Sequence, residues 1–497
     1  MSYFLTADGG TESLRARVYD CTGKCLGSHA SVYKTDFKPG SRAEQAPADW
    51  WANFVEASGA AITQAGISGN QIEAIAYATT CCSVVALDEN GDALRPALIW
   101  MDVRASEEAN AVLETGDAAL ALNGDGAGPV SAEWMIPKAL WLKRNEPELF
   151  SKAHRICEYQ DYLTYKLTGE WVASLDNAGL RWHYSTDRGG WPVSLLQALD
   201  LAELQDKWPP RVIAPGDVVG TLTAAAAEEL GLPRSVKVIQ GGADALIGMI
   251  GLGVSKPGQL ALITGSSHLL FGVTGTPMHA RGVWGSYPDI VYPGRYIVEG
   301  GQTSTGSIVN WLGRLSGGTL DFDKLNLQAS ELEPGCEGLI VQDHFQGNRT
   351  PHTDPLSRGA LVGLTLAHEK HHIFRAMMEG IGFGTRAILD AFERAGYAKA
   401  EITIGGGATA SDLWLQIHAD TAGVPVRVPA SPDAPSTGSA VLAAYGAGRF
   451  SSIDEGISTM VQPGRVVDPI GRNVTKYEEI YTRYLALYPA LKEVLAK

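Results

Sequence analysis

The sequence predicts two similar α/β domains facing one another. Three observations support this. A strand–turn–strand unit occurs twice, as Tyr3–Ala7 with Arg15–Asp20 and as Gln259–Thr264 with His268–Thr274. Each pair is followed by alternating strand and helix patterns, which a helix-covered sheet requires. The chain of 497 residues is long enough for two domains of usual size. The duplication is one of layout, without a residue-by-residue repeat.

In the first unit the turn is Asp8-Gly9-Gly10-Thr11-Glu12-Ser13. Two glycines let the backbone reverse and turn its N–H groups toward one point. Thr11 and Ser13 add hydroxyl donors, and Asp8 puts a carboxylate at the strand end. This is equipment for a polyphosphate and its metal; the alternative is an ordinary hairpin. Helical patterns follow over Pro47–Ala65, Ala132–Asn145, Ser304–Arg314, His368–Ala395 and Val474–Leu491. The fourth carries Ile373, Met377, Ile381, Thr385 and Leu389 on one stripe, as a core-facing helix must. Pro137 is expected in a first turn, where a missing N–H costs nothing. An apolar strand over Ile239–Gly242 runs into a helix starting at Asp244. The domain boundary falls just after it, giving domains of residues 1–250 and 251–497. No low-complexity linker separates them, so the halves are expected to pack closely and move as a hinge.

Hydrophobic residues make up 45% and charged residues 19%, a globular composition. A formal charge of −15 argues against nucleic acid or anionic membrane as partner, leaving anionic ligands to backbone donors and Mg²⁺. Six scattered cysteines, with no zinc-ligand spacing, suit reduced thiols and a cytoplasmic location. No signal peptide and no membrane-length apolar run is visible.

Three further segments can carry chemistry. Asp244 follows a buried strand and two glycines, at the strand edge where open α/β sheets place ligands. It can act as a general base, or simply cap a helix. Gly405-Gly406-Gly407-Ala408, with Ser411 beyond, lies between the strand Glu401–Ile404 and the helix Leu413–Thr421. It allows a flat ligand or a phosphate to approach, or forms a tight loop with Ser411 as cap. Thr79-Thr80-Cys81-Cys82-Ser83 precedes a strand over Val84–Asp88, and Trp100, Asp102 and Arg104 follow. Trp100 can cover a sugar face while Asp102 and Arg104 hold hydroxyls; the alternatives are core packing, an ion pair and buried inert thiols.

Together these motifs resemble the FGGY family of carbohydrate kinases, on the actin-like ATPase (ribonuclease H-like) fold with a ligand cleft between two domains. Asp8-Gly9-Gly10-Thr11-Glu12-Ser13-Leu14-Arg15 is similar to the family's first phosphate motif. Gly359–Leu364, seven residues, then His372–Glu379 resembles its C-terminal signature, and Glu133–Leu142 its N-terminal one, with Ala139 where a larger residue is usual. The segment from Arg349-Thr350-Pro351-His352 to Arg358 is also typical. The resemblance covers nearly the whole chain.

It implies transfer of the ATP γ-phosphoryl group to a sugar or polyol hydroxyl, with ATP and Mg²⁺ as cofactors. Asp244 would be the catalytic base, and Asp8 with Asp244 would hold the metal. Thr11, Glu12, Ser13 and Arg15 in the first turn, and Gly265 with Ser266 in the second, would cradle phosphate. Gly306 and Asn310 would border adenosine, with Gly407, Ala408 and Ser411 opposite. Substrate contacts would come from Cys82, Trp100, Asp102, Glu133 and Asp244. Cys81 and Cys82 stand where xylulose kinases carry Met-His and glycerol kinases Arg-Glu. Those small residues, with Ser131-x-Glu133-x-x-x-Pro137-Lys138, look more like the ribulokinase branch, so a ketopentose such as ribulose is the expected acceptor. Xylulose, a pentitol, a tetritol such as erythritol, and glycerol are alternatives. Outside catalysis, a nucleotide sensor or chaperone on the same fold is the rival. His268 departs from the residues expected after the second turn. Family members are often dimers or tetramers, so a homodimer is possible.

Overall fold

The computed structural model describes residues 2–495 except Ala127, Pro129, Thr319 and Pro432. Two mixed sheets dominate it. The first has six strands, in the spatial order Val218–Thr221, Lys237–Ala243, Ile72–Thr79, Tyr3–Gly9, Ser13–Asp20, Cys25–Val32. The second has seven, in the order Gly285–Pro288, Tyr296–Gln302, His268–Thr274, Gln259–Thr264, Glu401–Gly406, Val426–Val428, Arg465–Val467.

The pairing pattern repeats. In each sheet an antiparallel hairpin is flanked on its first strand by a parallel neighbour: Tyr3–Gly9 beside Ile72–Thr79, and Gln259–Thr264 beside Glu401–Gly406. A third antiparallel strand extends each hairpin, and a further parallel then antiparallel strand closes the other side. The duplication inferred from layout is therefore present strand for strand, and the fold is the two-domain actin-like ATPase architecture.

An additional five-stranded sheet, Asp36–Lys38, Arg42–Gln45, Ala97–Leu98, Val84–Leu87 and Arg155–Glu158, rises from the first domain beside its hairpin turn. The helix Met135–Asn145 packs on it, Ile136, Ala139 and Leu140 sharing a buried cluster with Val84, Ala86 and Leu98. That helix starts at Met135 rather than Ala132 and carries Pro137 in its first turn, where the ring is tolerated. The long helix observed is Lys370–Arg394; Met377, Ile381, Thr385 and Leu389 are buried and Ile373 partly so. The expected Ser304–Arg314 and Val474–Leu491 helices run instead over Gly306–Leu315 and Gly471–Leu495.

Two short helices lock the halves together. Asp244–Gly251 lies against Ala434–Gly446 at backbone contact distance: a Cβ on Gly251 would meet the Ala434 carbonyl oxygen at 1.9 Å, and one on Gly438 the Ile247 carbonyl oxygen at 2.0 Å. Ala440–Ala444 also share a buried cluster with Phe4, Ala74, Ala76 and Ala78 of the first sheet. A helix from the end of the chain thus packs on the N-terminal sheet. No helix among the described residues is long and apolar enough to cross a membrane.

Candidate active site

The two hairpin turns and the strand end before Asp244 converge on one cleft. It contains two cavities. The larger, about 480 Å³, is bordered by Asp8, Arg15, Arg17, Gly265, Gly406 and Asp433, among others. The smaller, about 220 Å³, is bordered by Thr11, Cys82, Trp100, Glu133, Arg181 and Arg349, among others. Asp244 lines both, together with Ala245, Ser267 and Leu269.

Asp244 occupies the first position of its helix, after Ala243 rather than as the cap itself, and its carboxylate accepts from the Ala245 N–H at 2.7 Å. Burial pushes its pKa up to about 6, against the pull of that N–H. Asp8 stands one residue before the end of its strand, partly open to the cavity, with an enclosed Oδ1 lacking any hydrogen-bond partner. Burial, then the charges of Asp244 and Asp433, raise its pKa well above the ordinary value. Two carboxylates repelling one another at a shared cavity, one with an unsatisfied buried oxygen, form a donor set suited to a hard cation. Among the described residues no group of three or more His, Cys, Asp or Glu side chains gathers into a metal cage. A cation that takes its remaining oxygens from phosphate and water needs none.

Arg15 and Arg17 project from one face of the returning strand, as alternation dictates. Arg17 pairs with Asp433 at 2.7 Å and Arg15 with the same oxygen at 3.5 Å. Asp433 also caps the helix Ala434–Gly446 through the Ser436 N–H at 3.1 Å. A cationic corner beside the first turn is therefore held by a residue more than four hundred positions along the chain. Arg17 and Asp433 were not foreseen. The alternation Ser13-Arg15-Arg17 carried a signal for the first, and Asp433 before Ala434-Pro435 read as a helix start for the second.

On the other side, the Gly405–Gly407 loop closes against the second hairpin. Gly406 has φ of 91°, and a Cβ there would lie 2.0 Å from the Thr264 carbonyl oxygen. Thr264 Oγ1 donates to the Gly405 carbonyl at 2.7 Å and accepts from the Ala408 N–H at 3.0 Å. Gly306 packs on the same turn, its N–H donating to the Gly265 carbonyl at 3.2 Å. Ser266 is exposed, and its carbonyl accepts from the Thr305 and Ser307 N–H groups. Asn310 and Gly407 are exposed nearby on the Gly306–Leu315 helix and the glycine loop. Ser411 caps the helix Asp412–Ala422 and donates to Asn326 at 2.6 Å.

The small cavity is built by pinned loops. Lys138 is buried, and its ammonium donates to the carbonyls of Cys82 (2.7 Å), Leu98 (3.1 Å) and Ile99 (2.7 Å). Glu158, whose carboxyl burial raises to about pKa 7, accepts from the Cys82 N–H at 2.7 Å, from Asn177 at 3.0 Å and from Trp182 at 2.6 Å. These contacts hold Cys82 at φ of 61°, a conformation that costs a non-glycine residue energy. Trp100 stays 40% exposed, with Nε1 donating to Thr11 Oγ1 at 2.9 Å. Arg181 pairs bidentately with Glu299, at 2.7 and 3.0 Å, across the two domains.

Four expectations need correction. Asp102 does not border the small cavity: its carboxylate is fully buried and taken up by the Ala43 N–H at 2.8 Å and by Arg104. It anchors the Trp100 loop instead. Thr11 faces the small cavity rather than the phosphate side, because its hydroxyl is bonded to Trp100. Glu12 is exposed and Ser13 half-buried, and neither borders a cavity. His268, for which the sequence suggested no role, is buried in the core below its turn, beside Trp414 and His418, and burial drives its pKa well below the usual range.

Comparison with known proteins bears on this geometry. The sequence model for the FGGY family of carbohydrate kinases, N-terminal domain, matches residues 3–251, and that for the C-terminal domain residues 260–447. The chain belongs to this family. It is 30% identical to the human FGGY carbohydrate kinase domain-containing protein over 549 aligned residues, covering 99% of this chain and 97% of that one. It is 30% identical to ribulokinase of Halalkalibacterium halodurans, covering 98% and 94%. The crystal structure of xylulose kinase from Rhodospirillum rubrum superposes with a TM-score of 0.89 over 100% of both chains, at 26% identity. This FGGY protein is an ATP-dependent sugar kinase.

Proposed function

We propose that this kinase phosphorylates a hydroxyl of a ketopentose such as ribulose, with Asp244 as general base and Mg²⁺-ATP as donor. The observation that carries the reading is that Asp244 alone among the carboxylates borders both cavities. A carboxylate there reaches a hydroxyl in the small cavity on the side that faces the phosphates. With its pKa near 6 it is ionised at neutral pH yet still basic enough to accept the proton as the oxygen attacks phosphorus.

Asp8 and Asp244 would hold Mg²⁺, which when bound neutralises phosphate charge. Arg15 and Arg17 face the same cavity and offset the anionic charge of the nucleotide. Gly265 and Gly406 let backbone come close. Gly306, Asn310, Gly407, Ala408 and Ser411 surround the adenosine end in this reading. Alignment and exclusion of water are the chain's main contributions, since an open site would hydrolyse ATP.

The acceptor reading rests on the small cavity. Its volume of about 220 Å³ suits a four- or five-carbon molecule. Cys82 leaves space where larger polar residues would fill it, while Trp100 offers an aromatic face and Glu133 an acceptor for hydroxyls. The relative named ribulokinase supports the choice; the neighbour named xylulose kinase keeps xylulose as the second reading. The reduced cysteines accord with a cytoplasmic enzyme, and a homodimer is the assembly the family suggests. A coupled ADP-release assay over ketopentoses, aldopentoses, pentitols, tetritols and glycerol tests the proposal. Ribulose is expected to give the highest kcat/KM; preference for a non-ketose would refute it.

A further inference from the structure

A third cavity, about 360 Å³, lies in the C-terminal domain and shares no lining residue with the cleft. Its floor holds Gln342, only 2% exposed, whose Nε2 donates to the Arg358 carbonyl at 2.8 Å while Oε1 has no hydrogen-bond partner. One wall is the His352 ring stacked on Tyr488, with centroids 3.9 Å apart. Arg281 and Lys492 also line it.

The charges here are unbalanced. Asp354 is the one acid among the lining residues, and its carboxylate is engaged by Tyr488 (2.8 Å) and by the N–H groups of Leu356 (3.0 Å) and Ser357 (3.1 Å), with Lys492 at 3.9 Å. Arg281 is exposed, and the structure shows it neither a hydrogen bond nor an ion pair; its charge and that of Lys492 oppose one another. Two cations brought together with a single, already satisfied carboxylate favour an anion between them. A buried amide oxygen without a donor favours a hydroxyl or N–H above it. A cavity of this size takes a small molecule whole.

We propose that this cavity is a second ligand site, for the phosphomonoester of a small polyol, with the phosphate between Arg281 and Lys492 and the hydroxyls toward Gln342 and His352. The site sits one short segment from the acceptor cavity. Arg349 borders that cavity, and His352, three residues on, borders this one. Between them Thr350 Oγ1 exchanges hydrogen bonds with the Gly301 N–H (2.7 Å) and carbonyl (2.8 Å), so the segment is fixed to the second sheet.

Titration calorimetry with ribitol 5-phosphate tests this, using full-length protein saturated with Mg²⁺ and a non-hydrolysable ATP analogue so that the phosphate corner of the cleft is filled. Binding is expected to persist in the native protein and to weaken at least tenfold in R281S/K492S, whose turnover number stays native. Inorganic phosphate alone should bind at least tenfold more weakly than the ester. Binding lost once the cleft is filled, unchanged in the double variant, or matched by inorganic phosphate overturns the proposal. Binding is read directly, so the result stands whichever sugar the enzyme accepts.

Discussion

The two hairpin turns share a topology and divide the labour. At the first, the strand carries a carboxylate, Asp8, next to its end, and the return strand presents Arg15 and Arg17, paired to Asp433. At the second, the register places Thr264 opposite His268, a hydroxyl opposite a buried imidazole held neutral by desolvation. Thr264 spends its hydroxyl on the Gly405–Ala408 loop. One half of the duplicated fold thus concentrates charge, and the other supplies shape and backbone. Duplication sets the architecture twice, while the residues at the strand ends set how each copy is charged.

If the charged half carries catalysis, the largest effect belongs to Asp244. D244N should lower kcat by about 10²- to 10⁴-fold, the usual worth of a general base, in steady-state assays. Next comes the frame of the acceptor cavity. K138M leaves three buried carbonyls without their donor and should cost about 3 kcal/mol in denaturant unfolding, with a higher KM for sugar and an unchanged one for ATP. G406A should show the opposite split. A Cβ forced against Thr264 at positive φ should cost about 2 kcal/mol and raise the KM for ATP while sparing that for sugar.

A pH profile sharpens the contrast further. Asp244 must be ionised to accept a proton, and its pKa is raised to about 6, so kcat/KM should be full above neutral pH and fall as pH drops through about 6. A limb near 4 would mean that the base is not this buried group. The smallest effect is expected from W100F, which removes one hydrogen bond to Thr11. About 1 kcal/mol is at stake, a few-fold in the KM for sugar.

Much of this was legible along the chain where the signal is local. Glycine turns between alternating strands, and Asp244 after a buried strand and two glycines, are short-range patterns whose geometry follows from backbone freedom. The misreadings concern groups whose partners lie far away in sequence or whose exposure no local pattern reports. The ion pair of Asp102 with Arg104 was open to the sequence as an alternative, whereas its burial under Ala43, 59 residues away, was not. Thr11 looked like a phosphate donor because Trp100 is 89 residues away. The Arg17–Asp433 pair joins opposite ends of the chain, and His268 sits in a core that only the folded second domain creates.

The central claim is that Asp244, beyond its share in holding Mg²⁺, is the base that transfer requires. The direct test is calorimetric titration of D244N with Mg²⁺-ADP and, separately, with the accepted sugar, beside a single-turnover measurement on the same protein. The account predicts a sugar affinity within about threefold of native and a Mg²⁺-ADP affinity that falls far less than transfer, which is lost by the two to four decades expected of a missing base. Transfer within tenfold of native, or loss of the sugar affinity in a folded variant, would contradict it.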